Sequence, residues 1–335
     1  VGLTPDWRVA IDGDDITPRI RDRFVSLTVV DGKKPRDDRC TIELFDDPWI
    51  DWPENGRKIK VWMGYAGEEL TEMGEYALAV PRSKGPPAVL SVTGNAIPPP
   101  RSSSSSSTPG PGLGTDSFTY EKGGTVQQLV ERAARDLGDL ETTVSSGIAG
   151  LEISDRQRDE THANYLQRLA RSNGFTFKIR NGRLIMTDGH AATGARTGRA
   201  VTTVEVPLSA IRNWDGQFVP RSAVSRVDAR WHSTSQNKSG RERAGSGRPR
   251  TTLPRTYATP EEARRAAAAA LARGAADAQT LKLKLDGHPV YMAHTRVDLR
   301  GVLRPGVEGL YQVEKATHRI TGSTSYETSL DTKAA

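Results

Sequence analysis

Only one cysteine, Cys40, occurs in the 335 residues. A single thiol excludes an internal disulfide framework, a thiolate zinc cluster and CxxC redox chemistry. It suits a reducing cytoplasm or an assembled particle better than a small secreted scaffold. Long hydrophobic runs are equally scarce. The longest, Ala266 to Ala272, falls far short of the ~20 residues a bilayer helix needs, so no membrane anchoring is expected. The start, Val1-Gly2-Leu3-Thr4-Pro5-Asp6, carries neither basic residues nor an apolar stretch, so no signal peptide is expected in it. Charge of one sign does not dominate either. Lys and Arg number 47 against 41 Asp and Glu, a net +6, which is milder than the stripe of a dedicated nucleic-acid binder.

What is present points to several β-rich units. The length implies two or three domains. With 36% hydrophobic residues the chain is lean for one large core, yet too apolar to be disordered. Thirty-two Gly and 20 Pro imply many turns. Trp7 to Ile11, Ser26 to Val30 and Cys40 to Leu44 alternate apolar and polar residues and are bounded by turn residues. Lys58 to Met63, Gly74 to Val80 and Val89 to Thr93 continue the series. Such a run of short strands suggests a barrel or sandwich. Composition breaks at residues 99–124, where prolines and the serines Ser102 to Ser107 form a linker.

Helical signals follow. Thr125 and Gln128 form a capping box ahead of the apolar face Val126, Leu129, Val130, Ala133 and Leu137, and Gly138 marks the expected stop. A second helix is predicted from about Glu160 to Ser172, closed by Asn173-Gly174. The Asn181-Gly182 pair between two alternating runs then predicts a hairpin. Residues 125–190 therefore read as an α+β module, with a linker over 191–204. In the last part, 205–331, Ala223 to Trp231 and Leu281 to Leu285 read as strands. Thr259-Pro260-Glu261-Glu262 opens a helix over 260–277, and Tyr311 to Asp331 reads as a hairpin around Gly322.

Chemistry is hard to find. Gly245-Ser246-Gly247 lacks the strand and helix of a nucleophile elbow. Gly110-x-Gly112-x-Gly114 follows a linker rather than a strand, so it does not read as a phosphate loop. No cofactor is expected. The densest titratable constellation is Asp286, His288, His294 and Asp298. Imidazoles and carboxylates could hold a metal, although turn and surface positions account for them equally. His318 reads as a packing histidine in a strand. The best nucleic-acid candidates are Lys238, Arg241, Arg243, Arg248 and Arg250, with Arg255 beside them. They are interspersed with Gly, Ser and Pro and lack an aromatic for stacking, so a solvated, mobile loop is the expectation.

The order of segments carries more than any motif. Trp7-Arg8-Val9, Gly13-Asp14-Asp15-Ile16-Thr17, Gly56-Arg57-Lys58-Ile59-Lys60-Val61 and Gly85-Pro86-Pro87 lie in the first third. Thr125-Val126-Gln127-Gln128-Leu129, Tyr165 to Ala170 and Asn173-Gly174-Phe175 lie in the middle. Gly309-Leu310-Tyr311-Gln312-Val313, His318 and Tyr326 to Leu330 lie at the end. In this order the chain resembles the baseplate hub proteins of contractile phage tails, the late control protein D family. The serine stretch and Lys238 to Arg255 depart from that pattern.

The resemblance implies a mainly β structural protein, with two tail-tube-like β-barrel domains (1–98 and 205–331) flanking the small α+β module. It implies a homotrimeric ring joining the hexameric tail tube to the trimeric central spike of a contractile injection machine. The tail tube protein, the spike protein, the tape measure protein and other baseplate proteins are the expected partners. The expected location is the virion tail baseplate, after synthesis in the bacterial host cytoplasm. The competing readings are a hub with peptidoglycan-hydrolase activity and a DNA-contacting tail protein. No segment is left over for a hydrolase module, so the expectation is a protein without catalytic residues.

Overall fold

The computed structural model describes residues 4–33, 37–97, 118–120, 124–137, 140–180, 183–188, 203–218 and 224–335. The Ser102–Ser107 stretch, the Gly110, Gly112 and Gly114 triplet, Gly138, the Asn181-Gly182 pair, His190 and residues 191–202 lie outside the described residues.

Six longer strands build most of the first lobe: β1 (Pro5–Ile11), β2 (Phe24–Gly32), β3 (Arg39–Phe45), β4 (Lys58–Tyr65), β5 (Thr71–Leu78) and β6 (Val89–Ala96), with the short pieces Asp14–Asp15 and Arg82–Lys84 pairing to β1 and β6. The alternation works as the period-2 pattern requires. Cys40, Ile42 and Leu44 of β3 turn inward beside Val9, Leu27, Val29, Ile59, Val61 and Met63, while Thr41 and Glu43 face outward. Gly94 is needed where it sits. A Cβ there would lie 2.8 Å from both Ile59 Cγ2 and Tyr76 Cβ, and 2.9 Å from Cys40 Sγ.

The module follows with α1 (Val126–Asp136), β7 (Glu141–Val144), α2 (His162–Asn173), β8 (Phe175–Arg180) and β9 (Arg183–Asp188). Thr125 and Gln128 cap α1 reciprocally, an arrangement worth about 1 kcal/mol. Gly174 closes α2 in the left-handed conformation at φ 77°. β8 and β9 pair with Arg180 opposite Arg183, the register of a two-residue connection.

The last third contains β10 (Ile211–Phe218), β11 (Arg226–Ser233), β12 (Lys238–Gly245), β13 (Arg250–Tyr257), α3 (Pro260–Asp277), β14 (Gln279–Asp286), β15 (Arg296–Asp298), β16 (Leu310–Thr321) and β17 (Ser325–Ala334). Two sequence expectations change here. Lys238 to Arg255 is not a solvated loop: β12 and β13 flank β11 in a three-stranded sheet. The reason is packing, because Val227, Ala229, Trp231, Ala244, Leu253 and Tyr257 cover Ala263, Ala267, Ala270 and Leu271 of α3. The two connections are also partly structured. Phe118–Tyr120 pairs antiparallel with Gln157–Glu160, and Thr203–Glu205 runs parallel to β15.

Strand order shows how the ends of the chain meet. The principal path is β10-β14-β17-β16-β2-β3-β6-β5-β4-β1, followed by the short Asp14–Asp15 segment. The C-terminal lobe therefore continues into the N-terminal lobe through β16 and β2, from Lys315 opposite Gly32 to Thr321 opposite Ser26. The architecture is mostly β, as expected, but among the described residues the path does not close into a barrel. On β1 the outer edge is occupied locally: the Val9 amide donates to Thr17 Oγ1 and its carbonyl accepts from the Ile16 amide. Four apolar cores result, one in each strand lobe, one in the module and one between α3 and β11–β13.

Candidate functional site

The densest buried chemistry lies where the three parts of the chain meet. Strand alternation on β8 turns Phe177 and Ile179 into the module core and Lys178 the other way. Lys178 is 1% exposed, and its Nζ donates to Asp31 Oδ1 at 2.6 Å and to the Gly32 carbonyl at 2.8 Å. Asp38 Oδ2 stands 3.4 Å from the same nitrogen. Each carboxylate also accepts a backbone bond: Asp31 from the Ala293 amide at 2.7 Å, Asp38 from the Gly32 amide at 2.9 Å. His294 follows Ala293 at φ 70° and is almost fully buried. Burial, with Lys178 and Lys33 nearby, pushes its imidazole down to about 3. Residues of the first lobe, the module and the C-terminal lobe thus share one charged, dry point.

A second charged joint is partly open. Ser154, Asp155, Arg156, Glu160, Arg168 and Arg255 line a cleft of about 580 Å³ between the module and β13. Asp155 holds both arginines: Arg255 Nη1 donates to its Oδ2 at 2.6 Å, and Arg168 pairs with the same carboxylate and with Glu160. Burial opposes the Asp155 charge, but hydrogen bonding and the positive charge of Arg255 and Arg168 outweigh it and hold the carboxyl below its ordinary range. On the α3 side, Glu262 accepts from the Ser154 amide at 2.6 Å. Arg168 and Arg255 both close on Asp155, so the cleft ties α2 of the module to β13.

The residues singled out in the sequence are placed differently from their spacing. Asp286, His288, His294 and Asp298 do not converge. Asp286 pairs with Arg212 at 2.6 Å, and Asp298 is bonded to Arg300. His288 Nδ1 accepts from the Val290 amide at 3.1 Å, whereas His294 is buried beside Lys178. Among the described residues no group of three or more His, Cys, Asp or Glu could hold a metal ion. Closeness along the chain was misleading because Asp286 ends β14, Asp298 ends β15 and the two histidines lie between them, each with different neighbours. His318 is fully buried, within hydrogen-bond distance of the Tyr291 carbonyl, Tyr326 Oη and Thr328 Oγ1, as a packing histidine should be. Burial pushes the Cys40 thiol up to about 12, which makes it inert at neutral pH.

Two surface features remain. Trp49 (80% exposed) and Trp52 (61%) project from the loop after β3, and Phe45 and Val80 are exposed in the same lobe. The basic residues Arg241, Arg243 and Arg250 lie exposed on β12 and β13, with Lys238 at the start of β12 and Arg248 in the turn. Sequence reading missed Lys178, Asp31 and Asp38. The only available signal was a lysine at an alternating position of an apolar strand, a pattern that ordinarily means solvent.

Comparison with known proteins decides the family. The model of the phage tail baseplate hub (GPD) family matches residues 122–324. The chain belongs to this baseplate hub family. A curated hub relative, the probable baseplate hub protein of Escherichia phage P2, is 27% identical over 245 residues, covering 70% of this chain. The chain spans 58% of that hub protein's length. Among solved structures, a 43 kDa tail protein of prophage MuSo2 from Shewanella oneidensis superposes with a TM-score of 0.67 at 14% identity, covering 98% of both chains. A component of the Escherichia coli type VI secretion system superposes with a TM-score of 0.54 at 13% identity, covering 99% of this chain and 76% of the other. These structures support the tail-protein fold of the hub. No helix among the described residues is long and apolar enough to cross a membrane.

Proposed function

We propose that the chain is a structural hub subunit of a tail baseplate, assembling as a homotrimeric ring between a hexameric tail tube and a trimeric central spike. The observation that carries this reading is the sheet path itself. β2 and β16 join two strand lobes into one continuous sheet, and Ile320 and Tyr326 of the C-terminal hairpin pack into the core of the first lobe. A subunit with two such lobes presents two β-rich faces, so three copies offer six to one neighbour while keeping threefold symmetry toward the other. The lobes within 1–98 and 205–331 take the part of the two tube-like units, and the module within 125–190 braces them through Lys178.

Heterologous contacts that close into a ring set the copy number without needing chemistry. Trp49, Trp52, Phe45 and Val80 are large apolar groups of the kind that assembly covers. The proposed partners are the tail tube, spike and tape measure proteins, at the baseplate of a virion or a related injection machine.

Mass measurement of the assembled particle tests the reading. Three hub copies per baseplate are expected, and two or six would overturn it. A peptidoglycan zymogram separates the structural role from a hydrolytic one: no clearing is expected, and clearing would overturn the purely structural reading.

A further inference from the structure

We propose that the outward face of the β11–β12–β13 sheet is a polyanion-binding surface that takes the phosphate backbone of duplex nucleic acid. The proposal does not depend on the hub reading. Pairing register assembles the face. Arg226 stands opposite Arg250, Arg230 opposite Arg241, and Asp228 opposite Arg243 and Thr252. The alternate positions on the same strands, Val227, Ala229, Trp231, Ala244, Leu253 and Tyr257, are spent on α3. Strand geometry leaves Arg241 and Arg243 about 7 Å apart along β12, Arg226 and Arg230 about 13 Å apart along β11, and facing pairs about 5 Å apart between strands.

Charge on this face is not balanced from within. Asp228 is the one acid among these outward positions; it is buried, accepts two bonds from Arg226 at 2.7 and 2.9 Å and lies 4.0 Å from Arg241. Arg230, Arg243 and Arg250 are all exposed; Arg243 shares Asp228 with Arg226 and Arg241, and among the described residues Arg230 and Arg250 form no ion pair. Like charges placed directly opposite on paired strands, as Arg230 and Arg241 are, destabilise a sheet. A bound polyanion would remove that repulsion.

The chemistry favours phosphate over an acidic protein. Protein interfaces place an apolar or aromatic anchor at their centre and are depleted of charge there, and this face has no such anchor. Duplex DNA carries about one charge per 1.7 Å of its axis, and guanidinium forks match phosphate oxygens bidentately. Single strands are gripped by stacking on aromatic rings. The rings available here face inward: Trp231 lies over Gly240, and Tyr257 packs toward α3.

The test is fluorescence anisotropy of the full chain with a short mixed-sequence DNA duplex across salt concentrations. About four net charges on the face predict a log–log salt slope of about −3 to −4, or a roughly 100-fold loss between about 50 and about 200 mM salt. The variant Arg230→Glu/Arg241→Glu/Arg243→Glu, confirmed as folded by circular dichroism, should bind at least about 10-fold more weakly. Arg19→Glu/Arg82→Glu/Arg304→Glu makes the same charge change at exposed sites elsewhere and should keep nearly all binding. Equal losses in both variants, or no binding at low salt, would overturn the proposal. So would tighter binding to single-stranded DNA or to polyglutamate than to the duplex; the polyglutamate result would assign the face to an acidic protein.

Discussion

The seam between β2 and β16 and the joint around Lys178 both tie distant parts of the chain together, by opposite means. The seam is a ladder of backbone hydrogen bonds with Leu27, Val29 and Ile320 beneath it, all fully buried. It hides two strand edges that would otherwise invite association, and a one-residue slip would turn every inward side chain outward. The joint rests on one ammonium facing two carboxylates in a dry site. Burying ions yields little net stability, but removing one partner strands the others. The seam therefore contributes stability in proportion to buried area, while the joint contributes little when complete and a large penalty when broken. It acts as a check that the module sits in one place.

Breaking the joint should have the largest effect. Lys178→Met leaves Asp31 and Asp38 buried without their cation and should cost about 3–5 kcal/mol in denaturant unfolding. Adding Asp31→Asn and Asp38→Asn should recover much of that loss. A cost of Lys178→Met below about 1 kcal/mol would show that charge does not hold the joint.

The seam should respond next. Leu27→Ala opens a cavity beneath β2 and should cost about 3 kcal/mol. Both strand lobes should then melt together in calorimetry, whereas separate transitions would mean that the seam does not couple them.

Acid sharpens the contrast. His294 is held neutral in the fold, far below its ordinary value of 6.5, so the unfolded chain takes up its proton first. Its contribution is complete above pH 6.5 and is lost as pH falls from there toward 3. Between pH 6.5 and 5 this amounts to about 2 kcal/mol. The groups facing it are Lys178, Lys33 and Asp31. His294→Asn, which tolerates the positive φ, should flatten the stability profile over that range, and an unchanged profile would remove His294 from the account.

Surface aromatics should matter least to folding. Trp49→Ala with Trp52→Ala should shift monomer stability by no more than about 0.5 kcal/mol. The same variant should impair incorporation into assembled particles; normal incorporation would free these rings from any interface.

How much was legible beforehand depends on distance along the chain. The Thr125–Gln128 box, the Thr259-Pro260 start and the Asn173-Gly174 stop were readable because a cap is decided by neighbours within one turn. The alternation around Lys178 shows its strand but not its task, since Asp31 lies 147 residues away in the chain. The Lys238 to Arg255 stretch looked like a loop because only the paired strand and α3 supply its apolar partners. Asp286, His288, His294 and Asp298 looked like a cluster only because they are close in sequence.

By itself, then, the sequence determined the local elements, the lack of covalent staples and the family to which their order belongs. Period, capping and turn chemistry act over a few residues and need no other part of the fold. Tertiary structure alone decided that the two ends share one sheet, that a lysine is buried against two aspartates, and that five arginines stand on one face. Each depends on which residues pairing brings together across long separations, and in a chain where so many strands could pair, only the packed whole selects among them.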